Sequence, residues 1–356
     1  MGAFASSGAW PGVLRRLMAA DELGGDVCRG ALERVLTGEA TAAQVSAFIV
    51  GLRMKGETPD EVAGLVDAML DAAAPLELPD PARTLDLVGT GGSTALAGRA
   101  FNVSTMASIV AAAAGATVCK HGNRKASSTS GSTDLLEALG VEVDLDGPGV
   151  VRCVQEAGVG FAFARMFHPA MRHVAGVRAE LGVPTVFNVL GPLSHPGRVG
   201  RQVLGVSDPG LLDLVPDVLA RRGLGHAWVV RGDDGLDELT TTGPTTVVEV
   251  VAGEVTRRFR ISPEGLGLQP STLEDLGIGD PGQNADAARG VLEGRPGPVR
   301  DMVLLNAAAG LVVAGVADGL GAGLESAAHA VDSGEAARTL GKLVAVSRAL
   351  TAADDD

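Results

Sequence analysis

From Val62 onward the apolar residues Val62, Leu65, Val66, Met69 and Leu70 recur at intervals of three and four, the repeat of one helix face, with polar positions between them. The helix they predict has a marked start. Thr58-Pro59-Asp60-Glu61 sets a hydroxyl cap, a proline at the first helical position and a glutamate three residues after the cap. Thr41 and Gln44 repeat the cap-to-acceptor spacing one helix earlier. Three or four short helices before residue 75 cannot bury such stripes alone. Either the rest of the chain or a second subunit must cover them, and a second subunit is the expectation.

The pattern changes at the proline-rich APLELPDPAR, Ala74 to Arg83, which reads as a boundary. From Thr84 short apolar runs alternate with polar loops and helical stretches. TLDLV ends before Gly89, a helix follows from Ser104, and TVC leads to a loop at Lys120. GVGFAFA (158–164) and AWVVRG (227–232) are further buried-strand candidates, residues 245–261 read as a hairpin, and 301–315 as a core helix apolar on every side. The C-terminal segment reads as one or two amphipathic helices. This alternation implies an α/β fold class: a small all-helical domain plus a larger α/β domain with a central, mainly parallel sheet flanked by helices. Ligands of such sheets sit at the carboxyl ends of the strands.

The 356 residues, 46% of them apolar, suffice for two domains with cores of their own. A formal charge of −14 argues against nucleic acid and anionic membranes as partners, since both require massed Lys and Arg. An anionic substrate would therefore need a locally basic pocket. The longest apolar run, ASIVAAAAGATV from Ala107, is far shorter than the roughly 20 residues of a membrane span. Cys28, Cys119 and Cys153 form neither a disulfide framework nor a zinc motif, which points to a reducing, cytoplasmic setting.

Four segments stand out against this acidic background. Gly89-Thr90-Gly91-Gly92 directly follows a strand, and its glycines would let backbone amides reach phosphate oxygens, helped by the positive end of the helix from Ser104. Taken alone it is equally a tight turn. CKHGNRKASSTSGST, Cys119 to Thr133, gathers Lys120, Arg124 and Lys125 with Ser127, Ser128, Ser130 and Ser132, a concentration of cations and short donors that a flexible linker does not need. In RGDDGLDELTT, Asp233, Asp234, Asp237 and Glu238 supply hard oxygens suited to Mg2+, although an ordinary acidic turn would look the same. FHPAMRHVAGVRAELGVPTVFNVLGPL, Phe167 to Leu193, places Arg172 and Arg178 on one helix near His168 and His173. An inward arginine there could grip a carboxylate through two parallel hydrogen bonds, whereas Arg172 and His173 singly read as surface.

These blocks, with LTGEATAAQVSAFIVGLRMKGET, NVST, SGSTDLLEALGV and LNAAAGL, resemble in kind and order those of the anthranilate phosphoribosyltransferase family over nearly the whole chain. The resemblance implies transfer of a phosphoribosyl group from phosphoribosyl pyrophosphate (PRPP) to the amine of anthranilate, with release of pyrophosphate, in tryptophan biosynthesis. It implies a helical domain over residues 1–82, completed by about 167–195, and an α/β domain over 83–166 and 196–356. The active site would lie in the cleft between them, and the chain would form a homodimer through the helical domain. Carried over by position, Gly89, Thr90, Gly91, Gly92, Ser93, Asn102, Ser104, Thr105, Lys120, His121, Gly122, Asn123, Arg124, Ser127, Ser128 and Ser132 would hold PRPP. Gly89, Asn123, His168, Met171 and Arg178 would hold anthranilate, and Ser104, Asp237 and Glu238 would hold Mg2+, two ions per site with PRPP bound. Catalysis would rest on Lys120, Asn123 and Arg178. Physical reasoning agrees: a departing pyrophosphate needs positioning and opposite charge more than a covalent nucleophile. An aniline nitrogen is already neutral, so His121 reads as an orienting neighbour rather than a base.

The sequence departs from the family pattern in two places. The loop after GTGG is longer, with Ser93 for the usual acid, Arg99 for a polar amide and Ala100 for a threonine, which puts the second Mg2+ in question; Arg99 is a candidate cationic substitute. Met171 stands where relatives often carry an aromatic, and Arg165 and Met166 alter the approach, changes that suit a wider acceptor channel. The alternative is therefore a paralogue acting on a different aromatic amine or carboxylate acceptor in secondary metabolism. A pyrimidine nucleoside phosphorylase shares the architecture, but the KHGNR block favours the amine transferase. A non-catalytic binder would not need Asp237, Glu238, Lys120 and Arg178 together.

Overall fold

The computed structural model describes residues 2–96, 99, 101–124 and 131–354. Five helices open the chain: Ala3–Ser6, Ala9–Met18, Gly25–Leu36, Ala42–Lys55 and Pro59–Asp71. Both capping boxes form, Thr41 with Gln44 and Thr58 with Glu61, each hydroxyl accepting from the amide three residues on. The stripe Val62, Leu65, Val66, Met69 and Leu70 is buried, but its cover is the chain itself and not a second subunit. Helices Gly25–Leu36, Phe187–Leu193 and Leu211–Arg221 lie against Pro59–Asp71. The expected subunit cover is thus corrected: later segments return across the bundle and take the place assigned to a partner.

Seven strands follow: β1 Leu85–Gly89, β2 Val118–Gly122, β3 Val159–Phe163, β4 Arg201–Gly205, β5 His226–Gly232, β6 Thr245–Val251 and β7 Glu254–Ile261. They form one sheet in the order β3-β2-β1-β4-β5-β6-β7, parallel through β5 and antiparallel for the β6–β7 hairpin. Alternate side chains face opposite cores, as the two-residue repeat of a strand requires. Val203, Trp228 and Val230 join the core built with helices Val103–Ala113 and Pro298–Ala314, while Leu204, Ala227 and Val229 join the N-terminal helices and Leu211–Arg221. The second cluster also takes in Val174, Val186, Phe187 and Leu190. The helical bundle is therefore seated on one sheet face, which fixes it relative to the carboxyl ends of the strands. No helix of the described residues is long and apolar enough to cross a membrane.

On β6, next to the edge strand β7, Glu249 is buried and accepts hydrogen bonds from Trp228 Nε1 at 2.8 Å, from His226 Nε2 at 3.0 Å and from Arg257, which lies over Phe259. Burial alone would raise this carboxyl, but the donors outweigh it and hold the pKa at about 2 against the usual 4.5. Because the folded value lies below the unfolded one, the ionised group stabilises the fold above pH 4.5 and this contribution is lost as pH falls toward about 2. Glu249→Leu should cost about 2 kcal/mol at neutral pH by leaving the buried indole N–H unbonded. It should also flatten the acid limb of stability measured by denaturant titration. A variant with the wild-type slope over that range would contradict this account.

Candidate active site

The carboxyl ends of β1, β2 and β5 meet at a cavity of about 320 Å³. From β1 the chain leaves through the glycine loop, where Gly91 and Gly92 have φ of +65° and +80°, values that side chains rarely adopt. Gly89 and Gly205 serve close approach instead: a Cβ at either would overlap Asp237, so glycine admits the acidic loop after β5 against β1 and β4. Hydrogen bonds then fix that loop. Gly91 N donates to Asp237 Oδ2 at 2.7 Å, Ser93 Oγ to the Gly235 carbonyl at 2.8 Å and Ser207 Oγ to the Gly91 carbonyl at 2.8 Å. Ser93 thus ties two loops together, a role that an ionised acid, having no proton to give, cannot fill.

Helix Val103–Ala113 brings its amino end to the cavity. Asn284 Oδ1 accepts from Asn102 N and Nδ2 at 3.1 and 3.2 Å, Ser104 Oγ accepts from Lys120 Nζ at 3.2 Å, and Thr105 Oγ1 is buried without a partner among the described residues. Lys120 is itself buried on β2 and also donates to the Leu87 carbonyl. Burial lowers its pKa, against the opposing pull of Asp86, Glu238 and Asp237. Burial likewise raises the Asp237 carboxyl, and it takes Glu238 to about 8, with Asp237 adding to that rise and Lys120 opposing it. Among the described residues the cavity thus sets two carboxyl groups beside one ammonium.

His121 follows Lys120. Its amide donates to buried Asp86 Oδ1 at 3.1 Å, and its ring lies 5.2 and 5.6 Å from those of His168 and His195. Burial and the two neighbouring imidazoles push its pKa well below 6.5, so the ring is neutral. A carbonyl can only accept, so Nδ1 carries the proton given to Gly191 O at 3.1 Å, and Nε2, buried and unbonded among the described residues, holds a lone pair. Asn123, Arg124 and Ser132 form another side. Ser132 Oγ donates to the Asn123 carbonyl at 3.1 Å, and a Cβ at Gly122 would overlap that hydroxyl. Arg124 lines the cavity, yet its guanidinium is committed to Glu137 at 2.6 Å. Lys125, Ser127, Ser128, Ser130 and Ala100 lie outside the described residues.

Not every expected residue gathers here. His168 is buried with Nε2 on the Ser194 carbonyl at 3.0 Å, and Met171 packs against the apolar cluster of the bundle. Neither lines the cavity described above: a neutral imidazole meets a carbonyl and an apolar thioether packs in the core. Arg165 is exposed and Met166 packs on the larger core. Arg99 is exposed with its guanidinium beside Gly277, off the cavity wall. Of the four acids after β5, Asp233 pairs with Arg260 and Asp234 accepts from Leu236 N and the hydroxyls of Thr240 and Thr242, leaving Asp237 and Glu238 to line the cavity. Arg178 stands back from the wall, half-buried, with its guanidinium 5.5 Å from the Phe187 ring centre and no hydrogen bond or ion pair among the described residues. Asn188, next to Phe187, does line the cavity, as do Leu96, Phe101, Leu276, Val299 and Met302. Sequence reasoning singles out none of these six.

Comparison with known proteins matches residues 81–337 to the glycosyl transferase family a/b domain and residues 11–73 to the glycosyl transferase family helical bundle domain. The chain is similar to the anthranilate phosphoribosyltransferase of Arthrobacter sp. (strain FB24), 48% identical over 350 residues that cover 97% of each chain. Its counterpart from Thermomicrobium roseum is 49% identical over 344 residues, covering 96% of this chain and 98% of that one. Among solved structures, anthranilate phosphoribosyltransferase from Thermus thermophilus aligns with a TM-score of 0.87 at 42% identity, covering 94% of this chain and 99% of its own. The Saccharomyces cerevisiae enzyme in complex with PRPP and Mg gives a TM-score of 0.87 at 29% identity, covering 96% and 98%.

Proposed function

The chain belongs to the anthranilate phosphoribosyltransferase family of pentosyltransferases, and from that premise we propose how its residues share out the transfer of phosphoribosyl from PRPP to anthranilate. One observation carries the assignment: the glycine loop, the amino end of a helix, Lys120 and the Asp237–Glu238 pair converge on one cavity at the sheet edge. The glycine loop from Gly89 to Ser93, Asn102, Ser104 and Thr105, and the Lys120–Arg124 edge with Ser132 hold PRPP; Ser127 and Ser128 belong to the same stretch. Ser104 Oγ and the two carboxylates make a hard-oxygen donor set, which fits Mg2+. Bound there, Mg2+ supplies charge opposite the departing pyrophosphate. A second ion per site would find no carboxylate at Ser93, whose hydroxyl is given to Gly235.

The ammonium of Lys120 stabilises negative charge as the anomeric C–O bond breaks. Asn123 positions the neutral amine that forms the new C–N bond, and His121 is an orienting neighbour rather than a base. Arg178, without a polar partner among the described residues, takes the acceptor carboxylate. We assign residues 1–82 with about 167–195 to the helical domain and 83–166 with 196–356 to the α/β domain. The packing of Val174, Phe187 and Leu190 among the N-terminal helices supports this division. A homodimer through the helical domain is supported by Met18 and Met54, 87% and 83% exposed on two helices that touch. A cytoplasmic setting is supported by three cysteines that are all buried and unbridged.

The test is a steady-state assay with PRPP, Mg2+ and anthranilate, following loss of anthranilate fluorescence together with pyrophosphate release. Arg178→Ala is expected to raise KM for anthranilate about 100-fold with little change in kcat, the loss of one charged, two-pronged contact made equally in ground and transition states. An unchanged anthranilate KM would remove Arg178 from the acceptor site. Turnover of another aryl amine with anthranilate refused would favour the paralogue.

A further inference from the structure

A second cavity, of about 340 Å³, lies across the glycine loop from the first, between the helix Ala42–Lys55 and the carboxyl ends of β4 and β5. One group in its wall has an unmet need. Thr185 is 4% exposed, and its Oγ1 is buried with no hydrogen-bond partner among the described residues. Such a hydroxyl is costly to keep unless something other than the protein satisfies it. Arg231 lines the same cavity; its Nε donates to the Ser207 carbonyl at 3.0 Å and its Nη1 is 3.4 Å from the Gly232 carbonyl, which leaves Nη2 without a partner among the described residues. Arg53 reaches in from the helical bundle, held by Asp208 at 2.9 Å. The acids in the wall are already engaged. Asp208 also accepts from Gly210 N at 3.0 Å, and Asp234 accepts from Leu236 N and two threonine hydroxyls. Pro184, Val189 and Leu211 supply an apolar side.

We propose that this cavity is a second ligand site, built for a small monocarboxylate with an apolar body. The carboxylate sits on Arg231 and accepts from the Thr185 hydroxyl, and the body lies against Pro184, Val189 and Leu211. A single anionic group suits the wall better than a diphosphate does, because both arginines already act on Asp208. Thr90 to Ser93 wall both cavities, so an occupant here presses on the loop assigned above to PRPP. Its effect on turnover therefore falls on KM for PRPP more than on kcat, a consequence that rests on the proposed function, whereas binding itself does not.

The probe is 4-methylpentanoate, with inorganic phosphate as an anion that lacks the apolar body. Calorimetry on the full chain should give a Kd of about 1 mM for 4-methylpentanoate and much weaker phosphate binding. Binding should persist in Lys120→Ala, which cripples the first cavity, and weaken about tenfold in Thr185→Val and in Arg231→Gln. Thr185→Val removes an unsatisfied hydroxyl at constant shape, so the ligand-free variant should melt about 2 °C higher, which also reports that it is folded. Absence of heat, equal binding by both variants, phosphate bound as tightly, or binding lost in Lys120→Ala would each overturn the proposal. Failure to bind and failure to turn over are read separately, so this site and the transfer reaction stand or fall independently.

Discussion

Lys120→Met is expected to lower kcat/KM for PRPP by about 10³-fold, the range seen when one preorganised charge stabiliser is removed from a transition state. Methionine keeps much of the stem and its apolar contacts but takes the ammonium from between the Leu87 carbonyl, Ser104 Oγ and the two cavity carboxylates. The effect should be large because the group is buried, where charge acts through a lower effective dielectric than at the surface. Lys120→Arg should also be impaired, by about 100-fold, since a planar fork cannot occupy a niche shaped for a compact ammonium. Both are read from steady-state rates over a PRPP series at saturating Mg2+ and anthranilate, with anthranilate KM as the internal control. A loss of less than tenfold in Lys120→Met would mean that the lysine organises the strand edge without acting on the leaving group.

The residues legible in the sequence are those whose structure is set locally. Thr41 and Thr58 announce helix starts because a cap needs only its own next three residues, and both form as the spacing implies. AWVVRG reads as a buried strand because β5 is covered on both faces, so its apolar run is unbroken. β4 escapes such a reading for the converse reason: Arg201 and Gln202 open a strand of five residues, too short and too polar at its start to show a repeat. Helices Phe187–Leu193 and Leu211–Arg221 each carry an internal proline, Pro192 and Pro216, which argues against a helix in sequence and which tertiary packing overrides. That Gly89–Gly92, Ser104, Lys120, Asp237 and Glu238 gather at one cavity is legible because each sits in a compact motif beside a strand end or at a helix start. His168 and Met171 lie in an equally compact motif, but nearness along the chain says nothing of which way a side chain points once a helix turns. Asp86, a lone acid between Leu85 and Leu87, is a readable sign of a buried polar network. The apolar wall of Leu96, Leu276, Val299 and Met302 is not readable, since its parts come from separate segments.

Lys55→Met is expected to destabilise the helical bundle by about 3–5 kcal/mol, the cost of leaving one charge of a buried pair alone. Glu61 is fully buried, and its two oxygens join three segments: Oε1 accepts from Leu23 N at 2.8 Å, and Oε2 from Lys55 Nζ at 2.8 Å and Thr58 N at 2.9 Å. Lys55, whose side chain is 4% exposed, also donates to the Gly56 carbonyl at 2.6 Å. With the ammonium gone, Glu61 must stay charged without a partner or take a proton, and either state weakens its hold on the Leu23 and Thr58 amides. Lys55→Met/Glu61→Leu should recover only part of the loss, because it removes the buried charge but leaves those two amides unbonded. The contrast is Arg29→Ala: Arg29 and its partner Asp71 are close to half exposed, and the change should cost well under about 1 kcal/mol. Denaturant midpoints at low and high salt separate the two kinds of pair, since screening reaches the exposed one and hardly touches the buried one. Hydrogen exchange at the Leu23 and Thr58 amides should quicken in Lys55→Met before the sheet core responds. Uniform quickening through β1 to β5 would mean instead that the bundle and the sheet unfold as one unit, as the apolar cluster they share on one sheet face would allow.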